Sequence, residues 1–154
     1  MGIRIDISED MPENEIVIKC KELDDDIQKI YQFIQELQTG KMDIICYRGN
    51  EEYYIPVNDI LFFETDVESV YAHTVDNAYR VKYRLYELEE SLPNNFMRIS
   101  KSTIFNIDYL HSIEKNITSA SLVKMKESHK QIYVSRRYYK DLKKRLEVRR
   151  FYEA

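Results

Sequence analysis

The chain has no tryptophan, and only three glycines, three prolines, two cysteines and three histidines among 154 residues. Each scarcity removes a class of function. Gly2, Gly40 and Gly49 are too few and too scattered for a phosphate loop or a dinucleotide fingerprint. Those motifs need glycines at fixed short spacings so that backbone can approach phosphate. His73, His111 and His129 show no H-x-x-x-H spacing, and Cys20 and Cys46 form no C-x-x-C, so no metal centre is expected. No G-x-S-x-G surrounds any serine. Acids such as Glu64 and Asp66 are close in sequence, but nothing marks them as a catalytic pair. Enzyme readings therefore lack a reaction centre, and no cofactor is implied. Two cysteines in apolar, strand-like settings read as buried free thiols of a reducing cytoplasm, a disulfide being the alternative. No apolar run approaches the ~18 residues of a membrane span. The opening MGIRIDISEDMP lacks the charged-then-apolar layout of a secretory signal. A cytoplasmic protein with no membrane insertion is expected.

What is present is a composition able to build a core: 44% apolar residues, with 13 tyrosines and 6 phenylalanines. Charge is abundant at 32% and nets to only −4, but it is unevenly spread. Residues 1–52 carry 6 basic and 13 acidic side chains, net −7. Residues 53–95 carry 3 and 8, net −5, and residues 96–154 carry 14 and 6, net +8. A basic third on an acidic remainder is the asymmetry of a protein with one face for a polyanion. The acidic part then opposes indiscriminate binding to nucleic acid.

Apolar periodicity divides the chain near residue 40. Ile3, Ile5 and Ile7 alternate with Arg4, Asp6 and Ser8, the pattern of a half-buried strand, and residues 16–21 read as a second strand. Asp24, Asp25 and Asp26 begin a helix whose dipole they complement. Ile27, Ile30, Tyr31, Ile34 and Leu37 follow at helical spacing, and Gly40 closes it. Residues 1–40 are thus predicted as a strand–strand–helix extension, either packed on the rest or serving dimerisation or signal sensing. Residues 42–48 and 52–57 predict a hairpin across Gly49-Asn50. Strands are then predicted around residues 61–64, 70–75, 79–83, 97–99, 104–107, 110–113, 121–125 and 131–134. A short helix carries Leu85, Leu88 and Leu92 on one stripe and stops at Pro93. A final helix puts Leu142 and Leu146 inside and Lys140, Lys143, Lys144 and Arg145 outside.

Two stretches stand out. Residues 96–110, FMRISKSTIFNIDYL, place a short polar run, Ser100-Lys101-Ser102, between apolar flanks. Such a run suits a loop held by its neighbours, and a lysine between hydroxyls suits phosphate or a base edge. An ordinary surface turn is the alternative. Residues 133–142, YVSRRYYKDL, run from a strand into the basic turn Ser135-Arg136-Arg137. Arginine can grip guanine O6 and N7 with two bonds, although Arg136 and Arg137 could instead bridge to acids such as Glu127. The lysines of the last helix suit phosphate, or simply a solvated face. Asn106 reads as a structural cap on its loop.

Together these stretches resemble the LytTR (LytR/AlgR-type) DNA-binding domain of bacterial transcription regulators. Arg98, Ser100, Ser102 and Asn106 fall in its R-x-H-x-S-x-x-x-N-like pattern, and Ser135-Arg136-Arg137-Tyr138 in its S-R-R-Y-like turn. Ser100 stands where the family often has histidine. Residues 56–64 resemble a further stretch of the family, and the likeness runs from about residue 42 to residue 146. The resemblance implies a mostly β fold, α+β overall, of several small sheets and a short helix over residues 41–154. Forty preceding residues are too few for a receiver domain. It also implies sequence-specific binding of double-stranded DNA at promoter repeats by a homodimeric regulator, with loops entering major grooves. By this resemblance Lys101 and Arg137 contact bases. A third contact falls near Ser69 or Val70, flanked by Asp66 and Glu68. Arg98, Ser100, Ser102, Ser135, Arg136, Lys140, Lys143 and Lys144 contact backbone or support the loops. The rival reading is a protein-interaction module worked by the acidic extension.

Overall fold

A computed structural model describes residues 1–39 and 42–153. The chain divides into two compact units, Met1–Gln35 and Glu36–Ala154. Helix α1 (Asp25–Thr39) starts in the first unit, where the acidic run predicts. Asp24 Oδ1 accepts the Ile27 N–H at 2.9 Å, which satisfies one of the free donors of the first turn. Closure at Gly40 lies outside the described residues. Neither expected strand forms: residues 1–24 contain no strand, and Ile3, Ile5, Ile7, Ile16 and Val17 are exposed. Alternation assigns side chains to two faces, but a strand also needs a neighbour for its N–H and C=O groups. Residues 3–7 and 16–21 find none among the described residues. Cys20, expected buried on the strength of that strand, is exposed, whereas Cys46 is fully buried and both thiols are free.

The second unit is mostly β, and with three α-helices among the described residues the fold is α+β. Strands β1 (Asp43–Arg48) and β2 (Glu51–Pro56) form the expected hairpin, with Arg48 opposite Glu51. Gly49 takes φ 61° in the connecting turn, where a side chain would be strained. Then come β3 (Phe62–Asp66), β4 (Ser69–His73), β5 (Ala78–Val81), helix α2 (Leu85–Ser91), β6 (Phe96–Arg98) and β7 (Thr103–Asn106). These seven strands make one antiparallel sheet in the order β2-β1-β5-β4-β3-β7-β6. Strands β8 (Leu110–Glu114), β9 (Ser121–Met125) and β10 (Gln131–Val134) form a second sheet, and helix α3 (Arg136–Glu153) ends the chain. The architecture is therefore one broad sheet and one small one, in place of several small sheets. Within the broad sheet, the locally paired pieces β1–β2, β3–β4–β5 and β6–β7 merge through the non-local pairings of β1 with β5 and of β3 with β7.

The cross-strand pairs of β3 and β7 explain how two cores share one sheet. Phe63 and Ile104 face each other on one side, and Phe62 and Phe105 on the other. The first pair joins Ile44, Cys46, Leu85 and Leu88 in one core. The second joins Ile99, Val123, Ile132, Val134 and Leu142 in another. A strand buried on both faces reads as a continuous apolar run, which residues 60–63, Ile-Leu-Phe-Phe, supply. Asn106 serves the fold as expected: it is buried, donates to the Ile60 carbonyl at 3.0 Å and accepts from Asn95 and Asp108.

Candidate nucleic-acid interface

The loop of residues 99–102 is closed by the Ile99 N–H donating to Thr103 O at 3.0 Å. Ser100 Oγ accepts from the Ser102 N–H at 3.2 Å, a local turn typical of serine. Arg98 holds the loop from beneath. Its Nε donates to Ser100 O at 2.7 Å, its Nη2 donates to Lys101 O, and its Nη1 pairs with Glu89 Oε2 at 2.9 Å. Only 19% of the Arg98 side chain is exposed. The arginine therefore spends its fork on main-chain carbonyls and one acid, and the side chains of Lys101 and Ser102 are left to solvent. Ser100 is half-buried.

The second basic stretch lies beside this loop. The Ser135 N–H donates to Ile99 O at 2.8 Å, and Ser135 O accepts from Tyr138 and Tyr139 at 3.1 and 3.0 Å as α3 begins. Arg136 and Arg137 are therefore the first residues of a helix, where a turn was expected. The apolar spacing of Tyr138, Tyr139, Leu142 and Leu146, which all pack on the second core, carried that signal. Both arginines are exposed, and the Arg137 guanidinium lies 5.7 Å from the Tyr138 ring centroid. No acid occupies this first turn. Two cations at the positive end of a helix are mutually unfavourable, typically by about 0.3–1 kcal/mol each at a surface. An anion placed there would relieve both. Ser135 Oγ is buried without a hydrogen-bond partner, so this serine supports the junction through its backbone alone.

Lys140, Lys143 and Lys144 follow on the exposed side of α3 at helical spacing from the arginines, opposite fully buried Leu142. Arg145 is exposed with them, as expected, but its guanidinium is engaged by main chain. Its Nη1 donates to Asn94 O at 3.0 Å and Phe96 O at 3.2 Å.

The third loop is the turn between β3 and β4. The Thr65 N–H, in β3 just before this turn, donates to Ser102 O at 2.9 Å, so the end of β3 adjoins residues 99–102. Val70 does not fit the base-reading role expected of it. It pairs with Thr65 and Val81 in the sheet, is 8% exposed, and belongs to the first core. The residue offered to solvent is Val67, 92% exposed at φ 55°, a conformation rarely taken by a β-branched side chain. Glu64 beside this turn has its carboxyl pushed above the usual range, first by burial and then by Asp66. Two backbone hydrogen bonds, Ser135–Ile99 and Thr65–Ser102, thus tie the loop of residues 99–102 to the start of α3 and to the end of β3. Among the described residues, no cluster of histidine, cysteine or acids could hold a metal, and no helix is long and apolar enough to cross a membrane.

The LytTr DNA-binding domain family matches residues 50–147. An uncharacterised HTH-type transcriptional regulator of Staphylococcus aureus strain NCTC 8325 is 32% identical over 148 residues, covering 96% of this chain and 99% of its own. A regulator of the same description from S. aureus strain bovine RF122 is 33% identical over 151 residues, with the same coverage. A match of that span includes most of the extension before the domain. The solved LytTr DNA-binding domain of a Bacillus cereus response regulator superposes with a TM-score of 0.64 at 24% identity, over 70% of this chain and 98% of that one. Its likeness supports the fold. Strands separate successive helices among the described residues, so no two of them form a helix-turn-helix pair. The chain belongs to the LytTr DNA-binding domain family.

Proposed function

We propose that this chain regulates transcription by binding double-stranded DNA in a sequence-specific way, with loops entering the major groove. One observation carries the reading: backbone hydrogen bonds tie the loop of residues 99–102 to the start of α3 and the end of β3, with Lys101, Arg136 and Arg137 exposed there. In this reading Lys101 and Arg137 contact bases, because they stand at exposed loop and helix-start positions with free donors. Ser102, Arg136, Lys140, Lys143 and Lys144 contact phosphate and fix the register. Arg98, Ser100 and Ser135 hold the loops in place. The turn at Val67 lies against the same site, and its flanking acids Asp66 and Glu68 keep phosphate at a distance. Two copies acting together would suit target sites arranged as repeats.

Titration of duplex promoter fragments at several salt concentrations tests this. About four to six phosphate contacts give a log–log slope near −4 to −5. A flat salt response on promoter and random duplex alike would overturn it, and would favour the rival reading of a protein-interaction module.

A further inference from the structure

On the face of the broad sheet that carries Phe62, paired residues form one row across five strands. Glu52 stands opposite Tyr47, Tyr47 opposite Arg80, Arg80 opposite Tyr71, and Tyr71 opposite Glu64. Residues paired in this way point to the same side, with Cβ atoms about 4.5–5.5 Å apart. A shallow groove of about 580 Å³ lies over the row, lined by Glu52, Tyr47, Arg80 and Tyr71 together with Arg48 and Lys82. Clefts of about 300–1,000 Å³ suit small ligands.

The fold leaves two of the three cations here unspent. Arg48 donates to Asn77 Oδ1 at 2.7 Å. Among the described residues, neither Arg80 nor Lys82 forms an ion pair. Arg80 is exposed between Tyr47 and Tyr71, and Lys82 Nζ lies 4.3 Å from the centroid of the Tyr47 ring. An anion placed between the two cations would satisfy both. The Tyr47 ring already carries Lys82, which leaves Tyr71 to stack a planar ring. Glu51 and Glu52, at one end of the groove, accept from the hydroxyls of Tyr53 and Tyr54 at 2.6 and 3.2 Å. Their remaining oxygens suit hydroxyl or amine donors. The groove thus asks for an anionic group, a planar ring and hydrogen-bond donors in one small molecule. A nucleoside monophosphate has all three. A polynucleotide laid along the row would carry its phosphates past Glu52 and Glu64, which oppose them.

We propose that this groove binds a free mononucleotide, with its phosphate on Arg80 and Lys82, its base on Tyr71 and its sugar or amino donors on Glu52. The inference goes beyond the DNA-binding reading, and its tests use no duplex, so each can fail without the other. One side of the ligand stays in solvent, so the expected affinity is modest, with Kd on the order of 100 micromolar. The site stacks the base and does not read its edge, so adenosine monophosphate is a sufficient probe.

Calorimetric titration of the full chain with adenosine monophosphate should show a single site. Adenosine alone and inorganic phosphate alone should each bind about tenfold more weakly, because each lacks part of the contacts. Arg80→Gln should weaken the nucleotide about tenfold and Lys82→Gln about threefold, with thermal unfolding unchanged. Because a substitution can also disturb the sheet, amide chemical shifts of the unaltered chain supply a second measure. On addition of the nucleotide they should change at residues 47–52, 71 and 78–82, which surround the groove. No binding at about 5 millimolar nucleotide overturns the proposal. So do shifts centred on residues 99–102 and 135–144, which would assign the anion to the DNA-binding surface. Inorganic phosphate binding as tightly as the nucleotide would leave the ring without a role and overturn it too. A short oligodeoxyadenylate that binds the groove more tightly than the nucleotide would make the occupant a single strand, against the proposal.

Discussion

The end of β6 and the first turns of α3 are adjacent, yet they use their arginines in opposite ways. Arg98 faces the protein, where Ser100 O, Lys101 O and Glu89 take up its donors. Arg136, Arg137, Lys140, Lys143 and Lys144 face solvent. Main-chain carbonyls engage further cations of this segment. Arg145 holds Asn94 O and Phe96 O, and Lys130 Nζ donates to Thr74 O at 2.9 Å and Asn77 O at 3.1 Å. A net charge of +8 for residues 96–154 therefore overstates what is open to a phosphate backbone. A basic segment is a pool from which the fold draws first, and only the remainder is available to bind.

The largest effect is expected from Arg98→Ala. Hydrogen bonds from a charged group are worth about 1.5–3 kcal/mol each and are not additive when shared by one side chain. A loss of about 2–3 kcal/mol in stability is expected in urea unfolding, because two carbonyls lose their donors. Affinity for operator and random duplex should fall together, since the loop that presents Lys101 loses its support. If stability is unchanged and only operator binding falls, Arg98 reaches DNA itself and the division into inward and outward cations is wrong.

Next in size is Arg137→Ala. It should leave thermal unfolding unchanged and cost about 1–3 kcal/mol on the operator, with much less on random duplex, since alanine cannot make the two-bonded grip on a base. Lys101→Ala should act in the same direction more weakly, because an ammonium is a point charge without a planar fork. Equal losses on both duplexes would move Arg137 to the backbone-gripping group.

Much of this division is legible in the sequence, and some of it cannot be. The strands of the second unit and the hairpin at Gly49 follow from alternation and turn chemistry, which are local. The cation-bearing stretches are legible because they interrupt apolar runs. The engagement of Arg98, Arg145 and Lys130 by the fold is not, because their acceptors are main-chain carbonyls that any residue type supplies. Val70 departs from expectation for a related reason. Sequence order puts it next to the β3–β4 turn, but the two-residue period of the strand puts its side chain in the core. The missing strands of residues 3–7 and 16–21 show the complementary limit: periodicity describes a face, and only a partner makes a strand.

A smaller effect is expected from Lys143→Ala combined with Lys144→Ala. These side chains are exposed beyond the helix start, so they can touch phosphate without fixing a base. Operator and random duplex should weaken alike, and the salt slope should flatten by up to about 2, one unit for each phosphate no longer neutralised. An unchanged slope would show that the solvated face of α3 extends away from the DNA.

The smallest effect on DNA is expected from Lys130→Met, and here the comparison is tested from the inward side. Lys130 carries a full charge within the basic third, so a reading based on charge alone predicts a weaker complex and a flatter salt slope. Its ammonium is held by Thr74 O and Asn77 O and lies 3.3 Å from His73 Nδ1, so the inward reading predicts no change in either. The consequence should fall on the fold. The His73 ring stacks on Phe62 with centroids 4.2 Å apart, and its pKa is lowered from 6.5 to about 4, chiefly by burial and secondarily by Lys130. Between those values the unfolded chain binds a proton that the folded chain does not, so stability falls as pH drops from 6.5 towards about 4. Lys130→Met removes the secondary cause and leaves the primary one. The acid-side loss should therefore persist but level off at a slightly higher pH, and so end smaller. It should vanish in His73→Phe, measured as the melting temperature at pH 4.5 and pH 7. A weaker DNA complex with Lys130→Met at unchanged melting temperature would mean that this amine reaches phosphate, and the boundary between the two groups of cations would have to be redrawn.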